Sequence, residues 1–290
     1  MSTLANWPGA IAVPGALALA PAASLENDYA FITDPARRAL ALHAFTPHGA
    51  DSAPALTRPR RAAQREDIVF YDFPSSPFCI KVRAMLLWKG LAFDAVDALQ
   101  PRHWLALQRH GSGKVPALTI AGRFVFDSTD IAAALDQLVP EQPLLPTISR
   151  AHALCHAIEE WADESLYFVG LHYLWRDPRS RGQAAALFGR GLLGRGAYAW
   201  YRWRVARQVR AQGTGRKTTA HIELDLHRHL NHADALVTDW PFLLGHQPRL
   251  CDFALFGQLV FLLRADASRP LLERRPKLLA YVERMRALGR

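Results

Sequence analysis

The chain has 290 residues, of which 50% are apolar or aromatic, so its length and composition suggest two domains with sizeable cores. No apolar run reaches the roughly 18 residues that a membrane-spanning helix needs, so the sequence predicts no membrane span. Three widely separated cysteines, Cys79, Cys155 and Cys251, do not make a disulfide framework. They favour a reducing compartment, and we therefore expect a cytoplasmic protein.

The formal net charge of +9 is unevenly distributed along the chain. The segment from Arg176 to Lys217 contains eleven basic residues and a single acidic residue, Asp177. The rest of the chain is close to neutral, so the basic character belongs to this one segment. This distribution does not indicate a protein that binds nucleic acid with its whole surface, and we expect no nucleic-acid partner.

Residues 1–66 are rich in alanine and proline and show no sustained helical or alternating period. The stretch "IAVPGALALAPAAS" looks superficially like the apolar region of a signal peptide. No basic residue precedes it, since the first arginine is Arg37, and prolines interrupt it. We predict that this segment is a mostly disordered extension.

Residues 67–140 read as a small α/β domain. The run "IVFYDF", which starts at Ile68, predicts a buried strand, and a helix should follow from Pro77, with Ser76 as its N-cap and Gly90 after its end. A second short strand, a helix, a tight hairpin at Ala121-Gly122 and a last helix complete the order β-α-β, α, β-β-α.

After the α/β domain, the sequence predicts a linker and then only helices. Prolines in "VPEQPLLP" indicate a linker, which we assign to residues 141–147. Strand signals are missing after the linker, and residues 148–290 read as an all-helical domain. The helical patterns cover residues 148–174, 182–211, 218–238, 250–265 and 270–287.

Ser76 is the first of three features that suggest chemistry. The free amides and the dipole of a helix N-terminus favour an anion such as a thiolate, and a serine hydroxyl can add a hydrogen bond to it. The alternative is an ordinary N-cap. Cys79 is a secondary candidate, because a thiol two residues into a helix would have a lowered pKa if it were exposed. It also stands where a C-x-x-C motif would end. Ser76 occupies the first position of that motif, so dithiol chemistry is not expected, and Cys79 also suits a buried structural role.

The second feature is Lys114-Val115-Pro116, just before a strand. Its proline is a candidate for a cis peptide bond, and its predecessor is restricted to extended geometry. The backbone N–H and C=O of Val115 could then pair with an extended peptide. The alternative is a proline that simply initiates the strand.

The third feature is Asp127-Ser128, at the start of the last helix of the α/β domain. The pair suits helix capping. It also suits a binding site in which Ser128 and the free amides hold a carboxylate and Asp127 meets an ammonium group. Together the three features fit a small peptide that has a thiol, a backbone-like middle and an end with both amine and carboxylate.

These motifs resemble a known family. "SSPFCIKVR", "KVPAL" and "FDSTDI", in this order and spacing, are similar to the thioredoxin-like N-terminal domain of cytosolic glutathione transferases. "FLLGHQPRLCDFALFGQL" resembles the start of the buried core helix of the family's helical domain, although Arg249 stands where a capping Ser or Thr is usual, so the capping box with Asp252 should be incomplete. "RVARQVRAQGTGR" with "PFLLGHQP" also resembles the branch that contains the metaxins and the failed-axon-connections proteins.

The resemblance implies a thioredoxin-like domain followed by an all-α transferase domain. It implies that Ser76 holds the family's catalytic position, that Val115-Pro116 pairs with the cysteinyl part of glutathione, and that Asp127-Ser128 holds its γ-glutamyl end. Asp127 stands where Glu is commoner in the family. We count Lys114 among the glutathione-binding residues. The first helix of the helical domain, with Trp161, Asp163, Glu164 and Tyr167, should line the electrophile pocket.

We therefore expect a detoxifying glutathione transferase that joins the glutathione thiol to a hydrophobic electrophile. Glutathione would be the co-substrate, no metal would take part, and the family resemblance implies a homodimer. Two alternatives stay open: a non-catalytic metaxin-like binding or scaffold protein, and a glutathione-dependent lyase or dehalogenase.

Two further patterns are less specific. His152 with His156, and the histidines of "HRHLNH" (His227, His229 and His232), come without a matching set of metal ligands, so we expect packed or solvated side chains. The arginine-rich segment "YAWYRWRVARQVRAQGTGR" suits an amphipathic helix in which Trp200, Trp203 and Val205 pack inward. The alternative is a surface that makes weak contact with anionic membranes or acidic partners.

Overall fold

The structure is a computed structural model that describes residues 68–188, 191–237 and 240–289. The predicted extension, residues 1–66, lies outside the described residues. The described chain starts with a four-stranded sheet and continues with helices, so the predicted fold class, an α/β thioredoxin-like layer followed by an all-helical part, is confirmed.

The sheet is mixed, and its strands lie side by side in the order β2 (Asp94–Asp97), β1 (Ile68–Asp72), β3 (Ala117–Ile120) and β4 (Arg123–Phe126). Strand β1 pairs with β2 in parallel, and the helix between them makes the crossover that a parallel pair needs. Strands β3 and β4 form the predicted hairpin, with Ala121 and Gly122 at positive φ in its turn. The elements of this layer are β1 (Ile68–Asp72), α1 (Pro77–Trp88), β2 (Asp94–Asp97), α2 (Pro101–His110), β3 (Ala117–Ile120), β4 (Arg123–Phe126) and α3 (Ser128–Leu138).

The helical part starts with a long helical rod that contains two wide-turn stretches. The rod consists of α4 (Ser149–Glu160), a π-helical stretch (Trp161–Leu166), α5 (Tyr167–Leu171) and a second π-helical stretch (His172–Arg176). The remaining helices are α6 (Arg181–Ala186), α7 (Leu192–Gln212), α8 (Thr219–Leu236), α9 (Leu250–Arg264), α10 (Arg269–Glu273) and α11 (Pro276–Ala287), with short 3₁₀ turns at Pro178–Ser180 and Thr214–Arg216.

Helix α9 is the most deeply buried long helix among the described residues. Every residue from Leu250 to Leu262 is buried. The helix crosses α1 very closely at Gly257, where an added Cβ atom would lie 2.4 Å from the carbonyl oxygen of Pro77. Because only a glycine allows this approach, the crossing fixes the first turn of α1 against the helical part.

The start of α9 has half of a capping box, as predicted. Asp252 accepts a hydrogen bond from the backbone N–H of Arg249 at 2.8 Å. The side chain of Arg249 has no acceptor atom, so it cannot complete the box. Its guanidinium instead donates to the carbonyl oxygen of Pro143 at 2.6 Å, which ties the predicted linker to the core helix.

Two segments that were each predicted to form one continuous helix are interrupted in the structure, so these two predictions were wrong. Residues 182–211 do not form one helix. Helix α6 ends at Ala186 and α7 begins at Leu192, and Gly191 before it has a φ of 100°. The pattern over 270–287 is interrupted before Pro276, since the residue that precedes a proline is disfavoured in helical geometry, and Arg275 has φ −121° and ψ 82°.

The predicted packing of α7 was correct for Val205 and wrong for the tryptophans. Val205 is buried, whereas Trp200 and Trp203 are 58% and 55% exposed. The reason is the helical period. Val205 and Val209 lie four residues apart on the buried side of the helix, and the two tryptophans lie on the opposite side.

Candidate active site

Strand register brings the three predicted features to one edge of the sheet. Strand β1 ends at Asp72, and the chain leads from there to Ser76. Strand β3 begins at Ala117, which pairs with Tyr71 near that end, and the Val115-Pro116 step immediately precedes it. Strand β4 ends at Phe126, opposite Ala117, and leads into Asp127-Ser128. Residues that are up to 52 positions apart in the sequence therefore leave the sheet at the same edge.

Ser76 is the N-cap of α1. Its backbone is extended (φ −78°, ψ 126°), Pro77 occupies the first helical turn, and its Oγ accepts a hydrogen bond from the N–H of Cys79 at 3.4 Å. This bond uses an oxygen lone pair and leaves the hydroxyl hydrogen for another acceptor. The cap and the predicted thiolate-binding role are therefore compatible in the same side chain.

Cys79 lies inside the core. Its Sγ accepts a hydrogen bond from the N–H of Phe73 at 3.4 Å, and only 1% of the residue is exposed. Burial raises the pKa of the Cys79 thiol to about 12. The thiol therefore stays protonated at neutral pH, which does not suit a nucleophile.

The Val115-Pro116 peptide bond is cis. Pro116 is buried and Val115 is half-buried. Among the described residues, no hydrogen bond involves the backbone N–H or C=O of Val115. Both groups are thus available to a peptide that extends the sheet at this edge.

Asp127 has an unusual backbone conformation for a residue with a side chain, with φ 72° and ψ 132°. Its carboxylate caps α3 by accepting the N–H of Thr129 at 2.9 Å. A strained backbone of this kind costs about 1–3 kcal/mol, and such residues cluster at active sites and ligand-binding sites. Asp127 and Lys114 are both exposed, so both charges can reach a ligand at the sheet edge.

Ser128 belongs to a buried group that we call the Lys81 cluster, formed by Lys81, Ser128, Glu159 and Asp163. The Nζ of Lys81 donates to Ser128 Oγ at 3.0 Å, to Glu159 Oε1 at 2.6 Å and to Asp163 Oδ2 at 2.8 Å. An ammonium group has three donors, so all of them are used. The cluster joins α1 and α3 to the first helix of the helical part.

The pKa shifts in the cluster follow from burial and from the paired charges. Burial alone would lower the pKa of Lys81, but the carboxylates of Asp163 and Glu159 raise it. Burial opposes ionisation of Glu159, yet its hydrogen bond with His156 and the charge of Lys81 lower its pKa to about 2. Burial raises the pKa of Asp163, and the charge of Lys81 offsets this only in part. The charge of Lys81 thus favours the ionised form of both carboxylates, and together with the hydrogen bond from His156 it outweighs burial at Glu159.

Sequence reasoning missed Lys81 and Glu159. A lysine within an apolar helix looks like a side chain that reaches solvent, and its carboxylate partner lies 78 positions away. The signal that could have found Lys81 is its position on α1 between Cys79 and Val82, which are both buried. No local pattern marks Glu159.

The helix predicted to line an electrophile pocket is only partly available for it. Asp163 was named in that region, but it is buried in the Lys81 cluster, where it also accepts a hydrogen bond from Gln258 at 3.2 Å. Trp161 turns toward α8 and donates to Nδ1 of His229 at 2.9 Å.

Tyr167 does lie beside the candidate site. Its ring packs against that of Phe78, in the first turn of α1, with 4.8 Å between the centroids. Burial raises the pKa of the Tyr167 hydroxyl, which therefore remains a neutral phenol. Glu164 is exposed on the same stretch, and burial together with neighbouring acids raises its pKa.

The histidine patterns have structural partners. His156 pairs with Glu159, with 3.1 Å between Nδ1 and Oε2, and its ring lies 4.7 Å from that of His152. His229 accepts the indole N–H of Trp161. Within residues 68–188, 191–237 and 240–289, no group of three or more His, Cys, Asp or Glu side chains is arranged to hold a metal ion.

Two family models match the chain. The model of the glutathione S-transferase N-terminal domain matches residues 70–143, and the model of the C-terminal domain of the same enzymes matches residues 216–284. The first match contains Ser76, Val115, Asp127 and Ser128, and the second contains the core helix α9. The chain therefore belongs to the glutathione transferase superfamily. Neither match separates its branches, and the metaxin-like branch is not confirmed.

Solved structures share this fold at low sequence identity. The beta-etherase LigF of Sphingobium sp. strain SYK-6 superposes with a TM-score of 0.58 at 19% identity, over 76% of this chain and 95% of the other. A glutathione S-transferase of Rhodospirillum rubrum F11 gives 0.52 at 21% identity, over 74% and 86%. Rice GST1, solved in complex with glutathione, gives 0.51 at 22% identity, over 77% and 87%. No curated protein sequence matches the chain.

Among the residues that the structure describes, no helix is both long enough and apolar enough to cross a membrane.

Proposed function

We propose that the protein binds glutathione at the sheet edge and joins glutathione, through its thiol sulfur, to an electrophilic carbon. The observation that carries the proposal is the convergence of Ser76, Val115-Pro116 and Asp127-Ser128 at one edge of the sheet. The buried Lys81 positions Ser128 by donating a hydrogen bond to its Oγ. Family membership supports glutathione as the co-substrate, because rice GST1 and a transferase of Methylobacterium radiotolerans have been solved with glutathione and glutathione sulfonate, respectively.

Ser128 and Asp127 would hold the γ-glutamyl end. Because Lys81 donates to Ser128 Oγ, the hydroxyl hydrogen of Ser128 points to another acceptor, and a ligand carboxylate is such an acceptor. The N-terminus of α3 adds its free amides and dipole. The Asp127 carboxylate uses Oδ1 for its cap and leaves Oδ2 for the ligand's ammonium group.

Val115 would pair with the cysteinyl residue of glutathione. Its free N–H and C=O suit a short antiparallel contact with an extended peptide. This contact would direct the thiol toward Ser76, since both segments leave the sheet at the same edge.

Ser76 and the N-terminus of α1 would then stabilise the thiolate. A free thiol has a pKa near 8.5, so lowering it by one to two units, worth about 1.4 kcal/mol each, makes the thiolate abundant at neutral pH. The thiol proton leaves to water. The sulfur forms a bond to the electrophilic carbon, and the leaving group departs with the electrons of the bond that breaks.

Calorimetry with glutathione and two matched variants tests the binding site. Asp127→Asn keeps an oxygen that can cap α3 and removes the charge, so we expect glutathione affinity to fall about tenfold, as for a lost charged hydrogen bond. Ser128→Ala should weaken binding to a similar extent. If the wild-type protein shows no measurable binding at millimolar glutathione, the proposal is wrong.

Conjugation assays test the role of Ser76. Ser76→Ala should lower kcat/KM for a chlorinated aromatic electrophile about 10- to 100-fold, because the thiolate loses its donor. Ser75→Ala is the matched control, since it removes a hydroxyl one position earlier and should leave the rate unchanged. Binding of glutathione without any conjugation or cleavage would instead support the non-catalytic alternative.

A further inference from the structure

Helix α7 carries an exposed surface that the glutathione chemistry does not use. At 100° per residue, one third of its circumference contains Leu192, Trp200, Trp203, Arg204, Arg207 and Arg210. We call this surface the basic face. All six side chains are exposed, while the opposite side of the helix, with Val205 and Val209, is buried.

The apolar part of the basic face is unusually open. Leu192 is 85% exposed, and the two indoles are each more than half exposed. Large apolar side chains that are grouped on a surface mark a contact site. The indoles are also paired with cations, because the guanidiniums of Arg204 and Arg207 lie 5.9 and 4.8 Å from the ring centroids of Trp200 and Trp203.

The positive charge of the basic face is not balanced by nearby sequence. No acidic residue occurs between Asp177 and Glu223, and the carboxylate of Asp177 is engaged by Arg179 at 2.8 Å. Arg216, in the 3₁₀ turn that follows α7, donates to the backbone carbonyl oxygens of Arg210 and Ala211, which are neutral acceptors.

Two adjoining concavities lie along the same helix. The first is lined by Arg176, Trp203, Arg207, Arg210 and Gly215, among others, and the second by Arg207, Arg210, Ala211 and Arg216. Each concavity is lined by three arginines. This arrangement fits the phosphates of lipid headgroups, which guanidiniums bind in bidentate geometry.

We propose that the basic face docks the protein onto an anionic lipid bilayer, with α7 lying in the plane of the membrane. The arginines would meet the headgroup phosphates, and Trp200, Trp203 and Leu192 would enter the boundary between headgroups and acyl chains, where indole rings are favoured. A nucleic acid would use the arginines but would gain nothing from the exposed leucine. This inference is independent of the proposed transferase activity.

Vesicle flotation tests the proposal with the full chain. We expect binding to vesicles of phosphatidylcholine with about one third phosphatidylglycerol, and no binding to phosphatidylcholine alone. Binding should weaken as salt is added, and about equally with chloride and with inorganic phosphate at the same ionic strength, because a single free phosphate ion cannot replace the many headgroup contacts and the apolar contacts of the bilayer.

The variant Arg207→Gln/Arg210→Gln should bind the anionic vesicles about 30-fold more weakly, as expected for two surface cations. The control Arg274→Gln/Lys277→Gln removes the same charge from exposed positions on another part of the molecule and should bind like the wild type. Trp200→Ser/Trp203→Ser should also weaken binding. Thermal unfolding of each variant checks that the fold is kept.

Several outcomes would overturn the proposal. They are equal binding to neutral and anionic vesicles, an equal loss in the control variant, unchanged binding of the tryptophan variant, or specific competition by inorganic phosphate, which would indicate a small-anion site. Tight binding of a single-stranded oligonucleotide together with no binding to either vesicle would identify a nucleic-acid surface instead.

Discussion

The Lys81 cluster and the basic face of α7 differ in the burial and pairing of their charged side chains. In the cluster, one ammonium group and two carboxylates are buried and satisfy one another across three helical elements. On the basic face, arginines stand in solvent with no acidic residue nearby in the sequence. A buried cation needs its partners to be tolerated at all, whereas an exposed cation costs little and remains free for a ligand. We therefore expect the cluster to control stability and the basic face to control binding.

The largest effect should come from breaking the cluster. Lys81→Met leaves Glu159 and Asp163 as buried carboxylates without their cation, and we expect the free energy of unfolding to fall by about 3–5 kcal/mol in urea titration. Arg210→Gln, which removes one exposed cation, should change it by less than about 0.5 kcal/mol. Adding Glu159→Gln and Asp163→Asn to Lys81→Met should restore part of the loss. A loss below about 1 kcal/mol for Lys81→Met would mean that the cluster does not stabilise the fold.

A glycine-to-alanine substitution should change the stability of the fold in opposite directions at the buried crossing of α9 and α1 and on the exposed side of α7. Gly257→Ala places a methyl group against Pro77 at the crossing of α9 and α1, and we expect a loss of about 1–3 kcal/mol. Gly196→Ala on α7 meets no atom within 4 Å and replaces a poor helix former, so it should gain about 0.5–1 kcal/mol. Thermal unfolding of both variants measures the difference, and equal effects would contradict the close crossing.

The pH dependence of stability should report on Glu159. Its pKa in the folded protein is lowered from 4.5 to about 2, so the stability it contributes is fully present above pH 4.5 and is lost as the pH falls toward 2. Between about pH 5 and pH 3, wild type should lose roughly 2 kcal/mol more than Glu159→Gln, at about 1.4 kcal/mol per pKa unit. Urea titrations at these two pH values measure the difference, and parallel losses in the two proteins would contradict the ion pair.

Much of the fold was predictable because its signals are local. The caps at Ser76 and Asp127, the hairpin at Ala121-Gly122 and the cis bond before Pro116 all depend on a few neighbouring residues. The breaks before α7 and α11 were missed although Gly191 and Pro276 mark them locally. The exposure of Trp200 and Trp203 was missed because an apolar side chain on an amphipathic helix does not reveal which side is buried.

The candidate site residues that carry short motifs could be named from the sequence, whereas the buried residues that support them could not. Ser76, Val115 and Asp127-Ser128 carry short motifs, and the sheet register explains why they converge. Lys81 and Glu159 lie 78 positions apart on different helices, and no local pattern marks Glu159 as the partner of Lys81. The role of Asp163 changed for the same reason, since its partner Lys81 lies 82 positions away.

The central claim is that Ser76 and the N-terminus of α1 lower the pKa of a bound glutathione thiol. Ultraviolet titration of thiolate absorbance in the complex measures this pKa directly. The account predicts a value one to two units below that of free glutathione for the wild-type protein and for Ser75→Ala, and a value close to that of free glutathione for Ser76→Ala. A bound thiol that titrates like free glutathione in the wild-type protein, or a lowered pKa that survives in Ser76→Ala, would contradict it.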